Sequence, residues 1–416
     1  MQAVAIAALV CFWAGPVRAD DASFEGHSPP GKRYLDVEGD DTPDIDTETT
    51  VDDTEDVKGL KITGDIRALL NHIDTDGRDG ESSSDSSVGG RIRLRADLGI
   101  TEAIHLGARV AGRGFTDEFN PEFVLQRDTP APNGLESGQA TLDELYLHWL
   151  PTERMSVALG RLQTRFVLRG GVFAKSLDKS DSGGTNITWT DGFQSVYRAK
   201  NGWKSSLILQ RNSDEGSGSV RRSPLDFDDQ DAHNSFFVGF ENTQDWGPVV
   251  QRALDISYLP DSLLKDGDPS GRREDYWGVV GRFAVRWPQR SEGIRLRVGT
   301  EIGYAPTIPT REAVNLDSNV NALAWDVVAS VMDFRPGHSI GINYARTGAG
   351  WLLSPSFRPN EELIEIRYQW RLNRSLMFEA RLRWHEDQEK PIGAFEKREQ
   401  YDMFVRLTWR FTALRR

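Results

Sequence analysis

The sequence has one cysteine, Cys11, inside an apolar run at the N-terminus. The chain beyond residue 19 therefore excludes disulfides, thiol catalysis and Cys-ligated metals, and suits passage through an oxidising compartment. Long hydrophobic runs are also missing. Outside the N-terminus no stretch of 18 or more apolar residues occurs, so no transmembrane helix is expected. Hydrophobic residues make up only 38% of the 416, against 27% charged and 10% aromatic. Enzyme signatures are absent too. The histidines His27, His72, His105, His148, His233, His338 and His385 form no HExxH pair, and no G-x-S-x-G, phosphate loop or dinucleotide fingerprint occurs. Basic residues are dispersed, which argues against nucleic acid. The expectation is a protein that is not an enzyme and uses no cofactor.

The run Ala3 to Ala14 is followed by Val17-Arg18-Ala19, with small residues at −3 and −1. Residues 1–19 read as a signal peptide cleaved after Ala19. Residues 20–57 carry fourteen acids, such as Asp40, Asp41, Asp44 and Asp46, against Lys32 and Arg33. Such a segment cannot bury enough apolar surface to fold alone and reads as disordered and periplasmic. It holds nearly all of the net charge of −13, so the remainder is close to neutral.

From Leu60 onward the texture changes to period-2 alternation. Sixteen candidate strands run from 60–73 to 400–411, most of them 9–14 residues long, and a tilted strand needs about 9–11 to cross a bilayer core. In the last strand Tyr401, Met403, Val405, Leu407, Trp409 and Phe411 share a face opposite Asp402, Arg406, Thr408 and Arg410. Connections alternate without a break. Short ones, such as Thr101-Glu102, Pro151-Thr152 and Asn373-Arg374, interleave with long ones, at 74–87, 116–138, 162–188, 213–232, 261–273, 306–320, 347–359 and 387–399. This asymmetry belongs to outer-membrane barrels and has no counterpart in propellers or sandwiches. The expected fold is all-β: one transmembrane antiparallel up-and-down barrel over 58–411, with about 16 strands (alternatively 18) and residues 412–416 as a tail.

An arginine at mid-bilayer on the lipid face costs about 2–4 kcal/mol, so Arg-bearing faces should point into the lumen. That assigns Arg67, Arg91, Arg93, Arg95, Arg109, Arg113, Arg282, Arg286, Arg295, Arg297, Arg367, Arg371, Arg381, Arg383, Arg406 and Arg410 to the inner wall. Opposing them are Asp65, Asp97, Glu144, Asp255, Glu301, Asp326, Glu365, Glu379 and Asp402. Arginines are in excess, and such walls favour anions. The bland alternative is a structural ladder of ion pairs. Loop 162–188 is unusually apolar for a solvated loop and holds Arg165, Phe166, Arg169, Lys175, Asp178 and Lys179. Inward folding as a constriction would explain that. Asp74, Asp76 and Asp79 alternate with turn glycines like part of a calcium loop, but the bidentate Glu at the twelfth position is absent, so they are a weak candidate.

Residues 143–197, with DELYLHW, VALGRLQTRF and WTDGF, resemble the central part of the alginate-export and related porin families. The terminal TWRF resembles the assembly signal of outer-membrane proteins. The resemblance implies an outer-membrane location in a Gram-negative envelope, contact with outer-membrane lipid, and recognition of the last strand by the barrel-assembly machinery. Two departures stand beside it. Alginate exporters have eighteen strands, and here Phe411 is followed by five more residues. The expected function is a porin-like channel for small hydrophilic solutes, favouring anions or acidic saccharides, as a homo-trimer or monomer. A non-conducting adhesin or scaffold, with loops such as 347–359 binding partners outside, is the alternative; a barrel enzyme ranks lower.

Overall fold

The computed structural model describes residues 59–115, 122–123, 138–173, 175–178, 189–211, 223–226, 234–268, 270–289, 293–354 and 356–415. The signal peptide, the acidic segment 20–57 and Lys179 lie outside them. No helix among the described residues is long and apolar enough to cross a membrane.

Sixteen strands close into an antiparallel barrel. They are β1 (Gly59–Asp76), β2 (Ser82–Gly99), β3 (Ile104–Phe115), β4 (Gln139–Thr152), β5 (Met155–Leu162), β6 (Thr190–Arg198), β7 (Trp203–Arg211) and β8 (Asn234–Asn242). The second half is β9 (Val249–Leu264), β10 (Arg273–Trp287), β11 (Arg295–Tyr304), β12 (Leu323–Arg335), β13 (His338–Thr347), β14 (Glu361–Arg371), β15 (Leu376–Asp387) and β16 (Glu399–Arg415). A two-residue fragment, Glu122–Phe123, pairs in parallel with β4. Each strand pairs with its chain neighbours, and β16 returns to β1, with Trp409 opposite Ile66. Closure leaves no edge, so each wall strand pairs on both sides, as lipid requires.

The alternation of the sequence becomes two faces. Ile92, Leu94, Leu98, Leu145, Leu159, Phe283, Ile302 and Leu382 are exposed outward. Their strand neighbours Arg91, Arg93, Arg95, Arg282 and Glu301 are buried inward. Exposed aromatics collect at both ends of the wall. Trp149, Trp203, Trp246, Trp287, Trp370 and Trp409 stand toward the short turns; Phe236, Trp277, Tyr304 and Tyr401 stand toward the long loops. On the long-loop side Phe236, Tyr258 and Trp277 stack across three strands, with centroids 5.9 and 4.2 Å apart. These are the two girdles of a membrane barrel. The turn Pro336-Gly337 needs a left-handed residue, and Gly337 takes φ +76° there.

Three expectations change. The loop at 74–87 is largely strand: β1 and β2 stay paired out to Asp76 opposite Ser82, leaving a turn of residues 77–81. The run Ser82–Ser87 is polar throughout and shows no alternation; its strand state comes from pairing with β1 where the hairpin rises clear of lipid. The tip is tied down: Arg78 donates to Asp387 at 2.6 and 2.9 Å, and this bonding holds its guanidinium pKa above the ordinary value. The expected tail is mostly strand as well, since Leu414 and Arg415 pair with Ile62 and Lys61. The β1 strand begins early enough to give them partners. Finally, residues 348–354 and 356–357 do not project outward. Trp351, Leu352, Leu353 and Phe357 are fully buried inside the barrel, against Tyr276, Val280 and Leu363 of its wall.

Candidate functional site: the barrel lumen

The lumen is shaped by two loops that fold inward. The segment after Leu162 leaves β5 and crosses to the wall formed by β9–β14, almost opposite in the strand order. Apolar residues seat it: Leu168, Val172 and Phe173 pack on Val250, Ala284, Val328 and Met332. Glycine makes the approach possible, because a Cβ at Gly170 would lie 1.9 Å from the Val328 side chain.

Polar links then fix the loop strand by strand. Gln251 of β9 accepts from the Arg169 amide at 2.8 Å and donates to the Val167 carbonyl at 2.7 Å. Ser330 of β12 donates to the Gly170 carbonyl at 2.8 Å. Lys175 pairs with Glu365 of β14. The Leu177 amide donates to Glu301 of β11 at 2.9 Å. Arg282 of β10 is the junction, since its guanidinium meets Asp178 of the loop, Asp255 of β9 and Glu301 of β11. Phe166 lies under the same guanidinium, 5.6 Å from its ring centre. The second inward loop locks onto the first: Trp351 Nε1 donates to the Leu177 carbonyl at 2.8 Å, and Ser354 Oγ to that of Ser176 at 2.9 Å. Of the loop residues singled out by sequence, Phe166, Arg169, Lys175 and Asp178 thus come together on one wall. Arg165 is half-buried beside them.

The facing wall, β14–β16 continuing through β1–β4, carries the arginine ladder. Arg67 lies directly opposite Arg91, and Arg91 opposite Arg113, so three guanidinium-bearing residues form one rung. Arg95 faces Arg109, and Arg367 faces Arg381. Carboxylates are threaded through it. Asp65 takes Arg91 at 3.0 Å, Arg95 holds Asp97 at 2.9 Å and Glu144 at 3.1 Å, and Arg406 holds Glu379 at 3.0 Å. Asp402 is shared by Arg381 and Arg383, with His385 3.4 Å away. On the other wall Arg286 and Arg295 reach Asp245 and Asp333 near the short turns. Arg297, Arg371 and Arg410 also sit at inward positions of their strands.

Strict alternation missed Asp143, which is fully buried and pairs with Arg109 at 2.7 Å and Arg93 at 3.2 Å. A bulge between Arg109 and Val110 in the β3–β4 register turns both Asp143 and Glu144 inward. With Asp143, Asp178, Asp245 and Asp333 included, the positive excess inferred from strand positions alone shrinks. The only sequence signal was two adjacent acids in a strand that otherwise alternates.

The candidate calcium ligands do not converge. Asp74 lies 3.1 Å from His72, Asp76 accepts from Ser82 at 2.5 Å, and Asp79 accepts its own turn's amide from Glu81 at 3.1 Å. Among the described residues no cluster of three or more His, Cys, Asp or Glu could hold a metal. His105 and His148 face each other across β3 and β4, with rings 6.1 Å apart.

Against known proteins, no family model and no curated protein matches this sequence. Solved structures do match. OprB of Pseudomonas putida aligns with a TM-score of 0.55 and 12% identity, over 85% of this chain and 94% of that one. OccK8 (OprE) of Pseudomonas aeruginosa gives 0.52 and 12%, over 86% and 99%. OccD3 (OpdP) of the same organism gives 0.51 and 11%, over 87% and 93%. These are outer-membrane porins. At this identity the likeness defines the fold, a closed sixteen-strand porin-type barrel. The alginate-export resemblance of residues 143–197 is not accompanied by a family match.

Proposed function

We propose that the chain is an outer-membrane channel for the diffusion of small hydrophilic solutes, with a modest preference for anions, acidic saccharides among them. The observation that carries this reading is the inward seating of the described loop residues, 163–173 and 175–178. The loop lines the wall of β9–β14, and on this reading the solute path runs beside it along the arginine ladder of β15, β16 and β1–β4, where arginines outnumber carboxylates. A constriction bounded on one side by cations favours anions. The preference is modest because most of those arginines are paired, and a paired guanidinium presents less field to a passing ion than an isolated one.

Reversal potentials across a planar bilayer in a salt gradient test this. Selectivity for chloride over potassium supports the anion preference, and cation selectivity overturns it. A second reading has one observation in its favour: Arg93 and Arg406 of the ladder are 1% and 0% exposed, so the inner wall is closely packed. A barrel packed throughout would serve as a non-conducting scaffold, and absence of any current would favour that reading.

A further inference from the structure

In the motifs Gly160-Arg161 and Trp189-Thr190-Asp191-Gly192, Thr190 turns inward and bonds Thr164 at 2.7 Å, but Arg161 and Asp191 are not used by the lumen. The two strands carry Arg161 and Asp191 outward. Arg161 of β5 lies opposite Asp191 of β6, and Asp191 lies opposite Arg211 of β7. Inward positions alternate with them: Ser156 and Ala158 on β5, Gln194 and Val196 on β6, and Gln210 on β7 are buried. The three charged residues border a groove of about 580 Å³ on the outer wall, with Leu142, Leu145 and Leu159 as its apolar part. Leu145 and Leu159 are 53% and 59% exposed. Gly160 and Gly192 face each other in the register, and neither can take a side chain. A Cβ at Gly160 would lie 2.3 Å from the Leu145 carbonyl, and one at Gly192 1.9 Å from that of Leu209. The motif glycines therefore allow the close strand approach on which the groove is built.

The polar rim is built too. Arg161 donates to both Asp191 oxygens, at 2.7 and 2.9 Å, and to the Leu142 carbonyl at 3.1 Å. The Trp189 indole donates to Asp191 at 3.1 Å, and its ring lies 4.4 Å from the Arg161 guanidinium carbon. Arg211 has no ion pair among the described residues, and the one carboxylate beside it, Asp191, is engaged by Arg161, so the rim carries a net positive charge. The backbones of Arg161 and Arg211 are two strand spacings apart, roughly 10 Å, within reach of a common anion for two long side chains. Height matters as well. Leu209 is level with Phe236 of the aromatic girdle, and Arg211 lies two residues further toward the long loops. That is headgroup level if the barrel spans the membrane, the reading on which this inference rests.

We propose that this groove binds a membrane lipid with a phosphate headgroup, the phosphate between Arg211 and Arg161 and an acyl chain along Leu142, Leu145 and Leu159. Paired arginines suit phosphate oxygens through charge-assisted hydrogen bonds. The outward position selects a lipid over a soluble anion.

The test is native mass spectrometry of the full chain in nonionic detergent, titrated with phosphatidic acid or with diacylglycerol of the same acyl chains. Phosphatidic acid should bind at least tenfold more tightly. Arg211→Gln should lose about tenfold, which is about 1.4 kcal/mol; Arg211→Lys should retain most of the affinity. Millimolar inorganic phosphate should leave lipid binding unchanged. Equal binding of the two lipids, an unaffected Arg211→Gln, or full competition by inorganic phosphate would overturn the lipid site. Insertion of wild type and Arg211→Gln into vesicles is measured alongside. Failure of the wild type to insert would overturn the membrane reading itself, and the site with it.

Discussion

Lys175→Met tests how firmly the inward loop is held. Lys175 is buried with its ammonium against Glu365, 3.5 Å from Asn343 Oδ1 and 5.2 Å from the centre of the Phe357 ring. Methionine keeps a similar apolar stem, so packing changes little. Removing one partner of a buried pair can cost about 3–5 kcal/mol when the other is left uncompensated. Here Glu365 keeps Arg367 at 2.7 Å. The loss is therefore closer to one charge-assisted hydrogen bond, about 1.5–3 kcal/mol. At about 1.4 kcal/mol per decade the population with a displaced loop should rise roughly 10- to 100-fold. Single-channel recording reads this as time spent in a wider, noisier conductance state. Glu365→Gln and the double variant complete a cycle, with a coupling of about 1–3 kcal/mol expected. Traces identical to wild type, or strictly additive effects, would refute the proposed anchorage.

Other consequences follow from the wall. A Cβ at Gly64 would lie 2.4 Å from the Phe411 ring across the β1–β16 seam; Gly64→Val should destabilise closure by about 1–3 kcal/mol, read as a lower temperature for loss of the compact band on semi-native gels. Leu94 faces lipid at 50% exposure, so Leu94→Arg should cost about 2–4 kcal/mol in refolding titrations into vesicles. Asp143→Asn removes a charge shared by Arg93 and Arg109 and should cost about 3–5 kcal/mol in the same assay, whereas Ser87→Asn on the projecting hairpin should cost less than about 0.5 kcal/mol.

Much of this architecture was legible in the sequence. Alternation in segments such as Ile92–Ile100 and Tyr401–Phe411 marked strands and faces, because period 2 has one structural meaning when one side meets lipid. All sixteen candidate strands are present, most within a few residues of their expected ends, although β2 begins at Ser82 rather than at 88. The apolar text of loop 162–188 was read as folding inward, and its described residues Leu168, Val172 and Phe173 pack on the wall. The same signal was present in Trp351-Leu352-Leu353 and was read as an outer loop, since local composition does not say which surface an apolar run will cover. Ion-pair partners were less legible still. Asp178, Asp245 and Asp333 reach wall arginines from loops or strand ends, and Asp143 does so through a bulge; those distances are set by closure and register, which no local pattern encodes.

The central claim is that this closed barrel carries solutes across a membrane. The most direct measurement is current through planar lipid bilayers after insertion of the purified full chain, with insertion verified by protease protection of the strands. The account predicts discrete, ohmic conductance steps. Protected, fully inserted barrels that pass no current would contradict it.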